Sequence, residues 1–418
     1  MTSTPQQAGP PAKDTRAHSR IIGLDGARGL SCLGVAVAHV AGHYSPETAA
    51  ATKIGLVGLS LIFFYVLSGF LLFLPYVRNL TRDTSEARAP STKNFAVHRI
   101  ARILPGYLVI FLVVNFVFRL AYVENPVYQR LGTEDGTGMI TDPWQLLANL
   151  TLVQTYIPRY IQTGLNPSWS LTLEYAFYAV LPLLAMGLFV MRRRTGLRPF
   201  TIAVIGAMAL VVLAFVGRAF VPLVAAATGV TDPNLLEWGD NWAAVFSRSL
   251  LTNADNFAVG MLAAVVIVAI EQGAVRARLS GRVRLYSTLA LLPVMFVSLV
   301  LIAIRSPYAT SGLGVLCALM ILVIVAPLAR GQDSAIARWL DLPPVLYVGK
   351  VSLSAYLWHF PVMLLLGRSG VLAGDTLAGM LYNVVIVIAA TILISTVTYY
   401  SVEKPVMNVA RRYRHRWA

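Results

Sequence analysis

The chain contains 418 residues, of which 57% are hydrophobic and only 13% are charged. A soluble protein of this size carries more charge, and the apolar residues cluster in runs that approach the roughly 18 to 20 residues needed to cross a bilayer core. The formal net charge of +15 does not indicate a nucleic-acid partner, because the basic residues lie in short clusters between the apolar runs. The composition therefore excludes a soluble fold and predicts a protein embedded in a lipid bilayer.

The apolar runs divide the chain into three predicted regions. Residues 1–20 are polar and predict a disordered cytoplasmic tail, residues 21–405 a membrane domain, and residues 406–418 a basic cytoplasmic tail. The expected fold of the membrane domain is all-α, a polytopic integral membrane bundle of about ten transmembrane helices. The approximate spans are 26–44, 54–77, 103–123, 167–191, 199–225, 244–270, 284–304, 308–329, 344–366 and 376–400.

The orientation of the bundle follows from its basic residues. Both chain ends and the connections after even-numbered spans are rich in Lys and Arg, whereas the connections after odd-numbered spans are poor in them. Cytoplasmic loops collect these residues, so both termini are expected in the cytoplasm of a multi-pass plasma-membrane protein. The longest external segment, residues 124–167, is expected to cover the outer mouth of the bundle. The sequence indicates no oligomeric state.

The first span carries two ionisable residues, Arg28 and His39, which are costly inside a membrane. They are eleven residues apart, about three helical turns, so both project from one face, roughly 16 Å apart along the helix axis. With the N-terminus inside, Arg28 lies near the cytoplasmic surface and His39 lies in the outer half. The alternative to a functional role is that Arg28 extends to the lipid headgroups and His39 hydrogen-bonds another helix.

Glu174 is expected at a depth similar to that of His39. Asn166, followed by a proline, predicts the N-cap of the fourth span, which puts Glu174 roughly 10 to 12 Å below the outer surface. A carboxylate beside an imidazole fixes its tautomer and raises its basicity, so Glu174 is a candidate partner of His39. The alternative is an ion pair with Arg218 or Arg248.

Two further spans carry polar residues with two interpretations each. His359 lies two residues before Pro361 and either takes part in chemistry or bonds a backbone carbonyl freed at a proline kink. Ser68 and Gly69, on the second span, permit either close helix packing or the close approach of a ligand.

A basic pair, Arg99 and Arg102, follows the second span with the i, i+3 spacing of one helical face. Paired guanidinium groups suit phosphate groups. Anchoring to anionic lipid explains the same spacing equally well.

Together these segments resemble the acyltransferase-3 family of membrane proteins. Six motifs occur in the family's order over nearly the whole chain. They are Arg28 to His39, Phe64-Tyr65-Val66-Leu67-Ser68-Gly69-Phe70, Arg99-x-x-Arg102-Ile103-x-Pro105, Asn166-Pro167-Ser168-Trp169-Ser170-Leu171 with Glu174, Gly349 to Pro361, and Val402-Glu403-Lys404-Pro405. The chain departs from the pattern at Tyr65, where a second Phe is expected, and at Ile62, Leu353 and Ala355.

The resemblance implies an enzyme that moves an acyl group, commonly acetyl, from cytoplasmic acyl-CoA to a sugar hydroxyl. The expected acceptor is a cell-envelope sugar or glycolipid, with an acylated trehalose as one candidate, and no permanently bound cofactor or metal is expected. The alternatives are a secondary transporter or flippase of glycolipid and an acyltransferase for a soluble macrolide-type antibiotic.

The resemblance also implies roles for the polar residues. His39 is the expected general base, oriented by Glu174, with direct transfer and an acyl-histidine intermediate as the two routes. The expected donor-binding residues are Arg28, Arg99, Arg102 and Ser68. The candidates for oxyanion stabilisation or support are Trp169, Ser170, Tyr178 and His359.

Overall fold

The computed structural model describes residues 20–82 and 87–416, with side chains as far as Arg412. The predicted disordered tail falls, apart from Arg20, outside the described residues. The α-helices are α1 Leu24–Tyr44, α2 Pro46–Thr52, α3 Leu61–Leu80, α4 Thr92–Leu112, α5 Pro143–Leu150, α6 Trp169–Arg194, α7 Pro199–Thr228, α8 Pro233–Trp238, α9 Trp242–Ser247, α10 Leu250–Glu271, α11 Ala277–Ala303, α12 Ala309–Ala329, α13 Ala335–Leu340, α14 Pro343–Arg368, α15 Leu377–Thr398 and α16 Lys404–Arg416.

Shorter elements complete the described chain. Strands β1 Ala121–Tyr122 and β2 Thr137–Gly138 pair antiparallel. The 3₁₀ helices are Ile54–Ser60, Pro126–Tyr128, Gln154–Tyr156, Pro158–Tyr160 and Asn166–Ser168, and the π-helical turns are Val113–Phe118 and Tyr399–Glu403.

Eight helical segments of the described chain are long and apolar enough to cross a membrane, and they coincide with eight of the ten predicted spans. Helices α1 and α14 occupy the other two spans. They contain 21 and 26 residues, about 32 and 39 Å by helical rise, but they are more polar because they carry residues of the candidate site. The chain is thus a multi-helix membrane bundle, while the total of ten spans and the side on which the termini lie stay predictions.

Two helix starts differ from the sequence-based expectation. Helix α4 begins at Thr92 rather than near residue 103, because Ser91 accepts a hydrogen bond from the backbone N–H of Asn94 and caps it. Helix α6 begins at Trp169, so the predicted N-cap at Asn166 is wrong: Asn166 opens a 3₁₀ turn and donates its amide to Gln162 instead.

Glycines allow the helices that carry the site to approach closely. A side chain at Gly69 of α3 would overlap the carbonyl group of Phe257 on α10, and one at Gly29 of α1 would overlap the backbone of Gly349 on α14. Helices α1 and α14 therefore lie with their backbones in contact. The sequence allows either helix packing or ligand approach at Ser68 and Gly69, and each residue fits one of the two. Gly69 packs against α10, whereas Ser68 lines a cavity described below.

The segment between α4 and α6 lies against the C-terminal ends of α1 and α14. The backbone of Tyr122 bridges to Gly164, and His43 at the end of α1 hydrogen-bonds the carbonyl oxygen of Thr133 at 3.0 Å. Arg368 at the end of α14 donates to the carbonyl oxygen of Phe118 at 3.0 Å. The segment is thus fixed to the ends of the two helices that carry His39 and His359.

Candidate active site

A cavity of about 210 Å³ lies between α1, α3, α4, α6 and α14. One part of its wall is basic and another carries hydroxyl groups. The predicted site residues that line it are Arg28, Ser68, Arg99, Arg102, Ser170, Glu174 and Tyr178. The predicted residues His39, Trp169 and His359 lie outside its wall.

Arg28 is held on the cavity wall by bonds between α1 and α14. Its Nε donates to Ser352 Oγ at 2.9 Å, and one Nη donates to the carbonyl oxygen of Gly349 at 2.7 Å. The same Nη lies 3.1 Å from a carboxylate oxygen of Asp25. The structure therefore places this guanidinium group inside the bundle at a fixed position, rather than extended to the headgroups.

Arg99 and Arg102 contribute from α4, whose early start at Thr92 makes both of them helical. Their i, i+3 spacing brings both guanidinium groups to the cavity. Within the described chain, Nε of Arg99 is buried and has no hydrogen-bond partner. Three arginines thus make the wall strongly basic, with hydrogen-bond capacity that the protein itself leaves unused.

Glu174 lies on α6 and accepts a hydrogen bond from Ser68 Oγ at 2.5 Å. The predicted pairing of Glu174 with His39 is therefore wrong, because the carboxylate faces the cavity and α3 rather than α1. The alternative partners are also wrong. Arg218 forms a bidentate ion pair with Asp255, and Arg248 contacts Glu237.

His39 instead pairs with His359, one turn beyond the cavity along α14. Their Nδ1 and Nε2 atoms are 2.8 Å apart, and the two rings stack with centroids 5.1 Å apart and an interplanar angle of 12°. Phe360 lies edge-on to His39, with centroids 5.4 Å apart. His359 is fully buried and His39 partly buried. Helix α14 continues through Pro361 to Arg368, so His359 contacts a second titratable group rather than serving only a kink.

A cluster of hydroxyl groups lies between the arginines and the histidine pair. Ser170 Oγ and the phenol oxygen of Tyr356 are 2.8 Å apart, and both contact the carbonyl oxygen of Pro167, at 3.0 and 3.1 Å. The ring of Tyr356 is 5.8 Å from that of His359. Ser352, Tyr356 and His359 follow one another along α14 at successive turns, so the helix joins the level of Arg28 to the level of His39.

Trp169 does not reach the cavity. Its ring packs edge-on against Trp238, with centroids 5.3 Å apart, and the guanidinium carbon of Arg248 lies 5.0 Å from its centroid. Its indole packs on the connection that contains α8, so the predicted role of Trp169 in oxyanion stabilisation or support stays a prediction that this cavity does not support. Tyr178 does line the cavity, in contact with Phe95.

Sequence reasoning did not single out Tyr356, Ser352 or Glu403 as site residues. Glu403 is buried, accepts a hydrogen bond from Ser354, and packs against Gly106 on α4. It lies in the π-helical turn Tyr399–Glu403, and such turns often occur at functional sites. Two of the six sequence motifs could have indicated these residues. The motif Gly349 to Pro361 contains Ser352 and Tyr356, and the motif Val402 to Pro405 contains Glu403.

The chain matches the family model described as an acyltransferase domain over residues 21–400. It therefore belongs to the acyltransferase-3 family, as the motifs predicted. No solved structure matches it significantly.

Three relatives illustrate the range of similarity. The chain is 24% identical to YrhL of Bacillus subtilis (strain 168) over 409 residues, an alignment that covers 94% of this chain and 56% of YrhL. The name of YrhL carries a provisional assignment as a peptidoglycan O-acetyltransferase. It is 23% identical over 399 residues to the O-acetyltransferase OatA of Staphylococcus aureus (strain NCTC 8325 / PS 47), covering 92% of this chain and 57% of OatA. It is 32% identical over 174 residues, 39% of each chain, to the acyltransferase MdmB of Streptomyces mycarofaciens. The chain thus spans little more than half the length of YrhL and OatA.

Proposed function

We propose that the protein is a membrane-embedded O-acyltransferase that moves an acyl group, with acetyl as the first candidate, from cytoplasmic acyl-CoA to a hydroxyl group of a cell-envelope sugar or glycolipid. The observation that carries the proposal is one cavity with three arginines on its wall and hydroxyl groups one helical turn from a hydrogen-bonded histidine pair. The names of YrhL and OatA both support acetyl as the group moved, and the name of YrhL supports a cell-wall sugar polymer, peptidoglycan, as the acceptor.

The basic wall fits the phosphate groups of coenzyme A. Guanidinium groups form strong, charge-assisted hydrogen bonds with phosphate oxygens. Arg28 is already fixed by Ser352 and Gly349, so it supplies a rigid positive charge, whereas the unused Nε of Arg99 supplies a free donor. With the phosphates here, the pantetheine arm extends along α14 and brings the thioester to the level of Tyr356.

The histidine pair fits a general base. Nδ1 of His359 is buried near the carbonyl groups of Ala355 and Tyr356 on its own helix, without a hydrogen bond of normal geometry in the described chain. We take the tautomer with the proton on this nitrogen, because these neighbouring carbonyl groups are acceptors. Nε2 of His359 then accepts the proton that His39 carries on Nδ1, and Nε2 of His39 keeps its lone pair. His39 is thus the base, and His359 takes the orienting role that the sequence analysis gave to Glu174.

The reaction balances without further reagents. His39 takes the proton of the acceptor hydroxyl, and the oxygen attacks the thioester carbonyl carbon, which moves an electron pair onto the carbonyl oxygen. Collapse of this intermediate re-forms the carbonyl and breaks the C–S bond, and the thiolate of coenzyme A takes the proton from His39. The products are the ester and free coenzyme A.

The test uses the full-length protein in nanodiscs with acetyl-CoA and longer acyl-CoAs. We expect binding by wild type, slow release of free thiol, and a dissociation constant raised about tenfold or more in Arg102→Gln, because a charged hydrogen-bond partner of phosphate is lost. Arg78→Gln is the matched control, since Arg78 is a basic residue that pairs with Glu271 away from the cavity.

The outcome separates this proposal from a transporter. Absence of acyl-CoA binding by wild type, or equal affinities of the two arginine variants, would refute the donor. Binding without any thiol release, in the presence of muropeptide, trehalose glycolipid and macrolide acceptors, would favour a carrier of acyl-CoA or glycolipid. Mass spectrometry of those acceptors identifies the one that gains an acyl group.

A further inference from the structure

Tyr65 is a buried cavity residue whose hydroxyl group forms no hydrogen bond of normal geometry within the described chain. It lies on α3 one turn before Ser68, is 2% exposed, and packs its ring 5.3 Å from that of Phe257. Its side chain lines the cavity, and its hydroxyl lies near that of Ser170 without forming a hydrogen bond of normal geometry to any residue that the structure describes. Burying an unpaired hydroxyl is unfavourable, so the position favours a hydrogen-bond acceptor supplied by a bound molecule.

The neighbouring hydroxyl groups already have acceptors. Ser170 and Tyr356 each carry one hydroxyl proton. One proton forms the hydrogen bond between the two hydroxyl groups, and the other is donated to the carbonyl oxygen of Pro167. Neither can donate to a ligand without breaking an internal bond. The Tyr65 hydroxyl, by contrast, lies near Ser170 but forms no hydrogen bond of normal geometry with the described chain, so it can turn its proton to a ligand without breaking such a bond.

The position of Tyr65 decides which part of a ligand it meets. It lies on the wall with Tyr356, whose ring is one turn from His359 and 5.8 Å from its ring. The phosphates of an acyl donor belong at the arginines, so the group that reaches this level is the acyl end. Its carbonyl oxygen is a hydrogen-bond acceptor that becomes negatively charged during transfer.

We infer that the Tyr65 hydroxyl donates a hydrogen bond to the acyl carbonyl oxygen and stabilises the oxyanion that forms there. The inference rests on the proposed function, because it needs an acyl thioester in the cavity. The bond strengthens as charge develops on the oxygen, since hydrogen bonds to ionised acceptors are about twice as strong as neutral ones. The proton stays on the tyrosine, so the balance of the reaction is unchanged.

The same helix offers a matched control. Tyr76 lies eleven residues after Tyr65, is 3% exposed, and also has a buried hydroxyl without a hydrogen-bond partner in the described chain. It does not line the cavity. Tyr65→Phe and Tyr76→Phe therefore remove the same group from equally buried places, and each leaves the ring packing intact. We expect neither to lower the unfolding temperature, because an unpaired polar group is lost.

The experiment measures turnover and ligand affinity for wild type and both variants in nanodiscs. Turnover is the release of thiol from acetyl-CoA. Affinity is measured for two inert analogues: the methyl ketone in which CH₂ replaces the sulfur, which keeps the carbonyl, and ethyl-CoA, which lacks it. For Tyr65→Phe we expect kcat to fall about 10²-fold and the ketone to bind about 2- to 10-fold more weakly, with ethyl-CoA unaffected. Tyr76→Phe should match wild type throughout.

The outcomes separate this inference from the proposed function. Equal turnover in the two variants, with wild type active, overturns the inference and leaves the donor proposal standing. Equal weakening of the ketone and of ethyl-CoA by Tyr65→Phe also overturns it, because the hydroxyl would then not act through the carbonyl. If wild type binds no acyl-CoA, the proposed function fails and the inference fails with it.

Discussion

The hydrogen bond between His39 and His359 gives a prediction that separates an orienting histidine from a structural one. We consider three changes: His39→Ala, His359→Met and His359→Gln. Methionine fills a volume similar to that of the imidazole without a strong acceptor. Glutamine carries an amide oxygen close to the position of Nε2 and can still accept the proton on Nδ1 of His39.

The magnitude follows from the contact of 2.8 Å between the two rings. During proton transfer His39 becomes positively charged, and a hydrogen bond to a charged group contributes about 1.5 to 3 kcal/mol. Its loss in His359→Met should lower the rate of acyl transfer about 10- to 150-fold. His39→Ala removes the proposed base and should lower the rate about 10²- to 10⁴-fold. His359→Gln should remain much closer to wild type than His359→Met.

The assay is thiol release from acetyl-CoA, with the acyl-CoA dissociation constant measured in parallel. The dissociation constant should stay unchanged in all three variants, because neither histidine lines the cavity. The double variant His39→Ala/His359→Met should be no slower than His39→Ala, since His359 acts only through His39. Equal rates for His359→Met and His359→Gln, or additive losses in the double variant, would refute the orienting role.

Two further predictions concern stability. Arg218 and Asp255 form a bidentate pair whose side chains are only 4% and 3% exposed. Arg218→Met leaves the carboxylate buried and unpaired, so it should lower the free energy of unfolding, measured by denaturant titration, by about 3 to 5 kcal/mol. The double variant Arg218→Met/Asp255→Leu should recover most of the lost stability, because no buried charge is left. Asp375 accepts hydrogen bonds from the Thr48 side chain and from the backbone N–H groups of Glu47 and Thr48, which together hold the pKa of its carboxyl below the usual value. Its stabilising effect is therefore present above the ordinary carboxyl pKa and lost as the pH falls through the lowered one, so Asp375→Ala should reduce the melting temperature at neutral pH and match wild type in strong acid.

The sequence predicted contacts within one helix better than contacts between helices. Arg28 and His39 share a face of α1 because the spacing of eleven residues is a property of the helix itself. The partner of His39 depends on how α6 and α14 are rotated about their axes, and sequence spacing carries no information on that rotation. The similar expected depth of Glu174 and His39 in the membrane favoured Glu174 as the partner of His39. In the structure Glu174 contacts Ser68, and His39 contacts His359.

Irregular backbone and long-range contacts were also beyond the sequence. Glu403 reaches Ser354 across 49 residues, from a π-helical turn that no hydrophobic periodicity predicts. The early start of α4 depends on one serine cap at Ser91, which the apolar pattern does not reveal because the first turns of α4 are polar. Burial of the Tyr65 hydroxyl depends on all the helices around the cavity at once.

Helices α1 and α14 act together as a fixed spacer between the basic wall and the histidine pair. Arg28 contacts Gly349 on α14, and eleven residues further along α1, His39 contacts His359, ten residues further along α14. Both intervals correspond to about 15 to 16 Å of helical rise, so the two helices run parallel with matching register. Backbone contact at Gly29 and Gly349 prevents sliding, because helices packed at this distance have no room for side chains to rearrange. The distance between Arg28 and His39 is therefore set by rigid elements rather than by loops. Under the proposed function, it suits a donor whose anionic and reactive ends are separated by a comparable length.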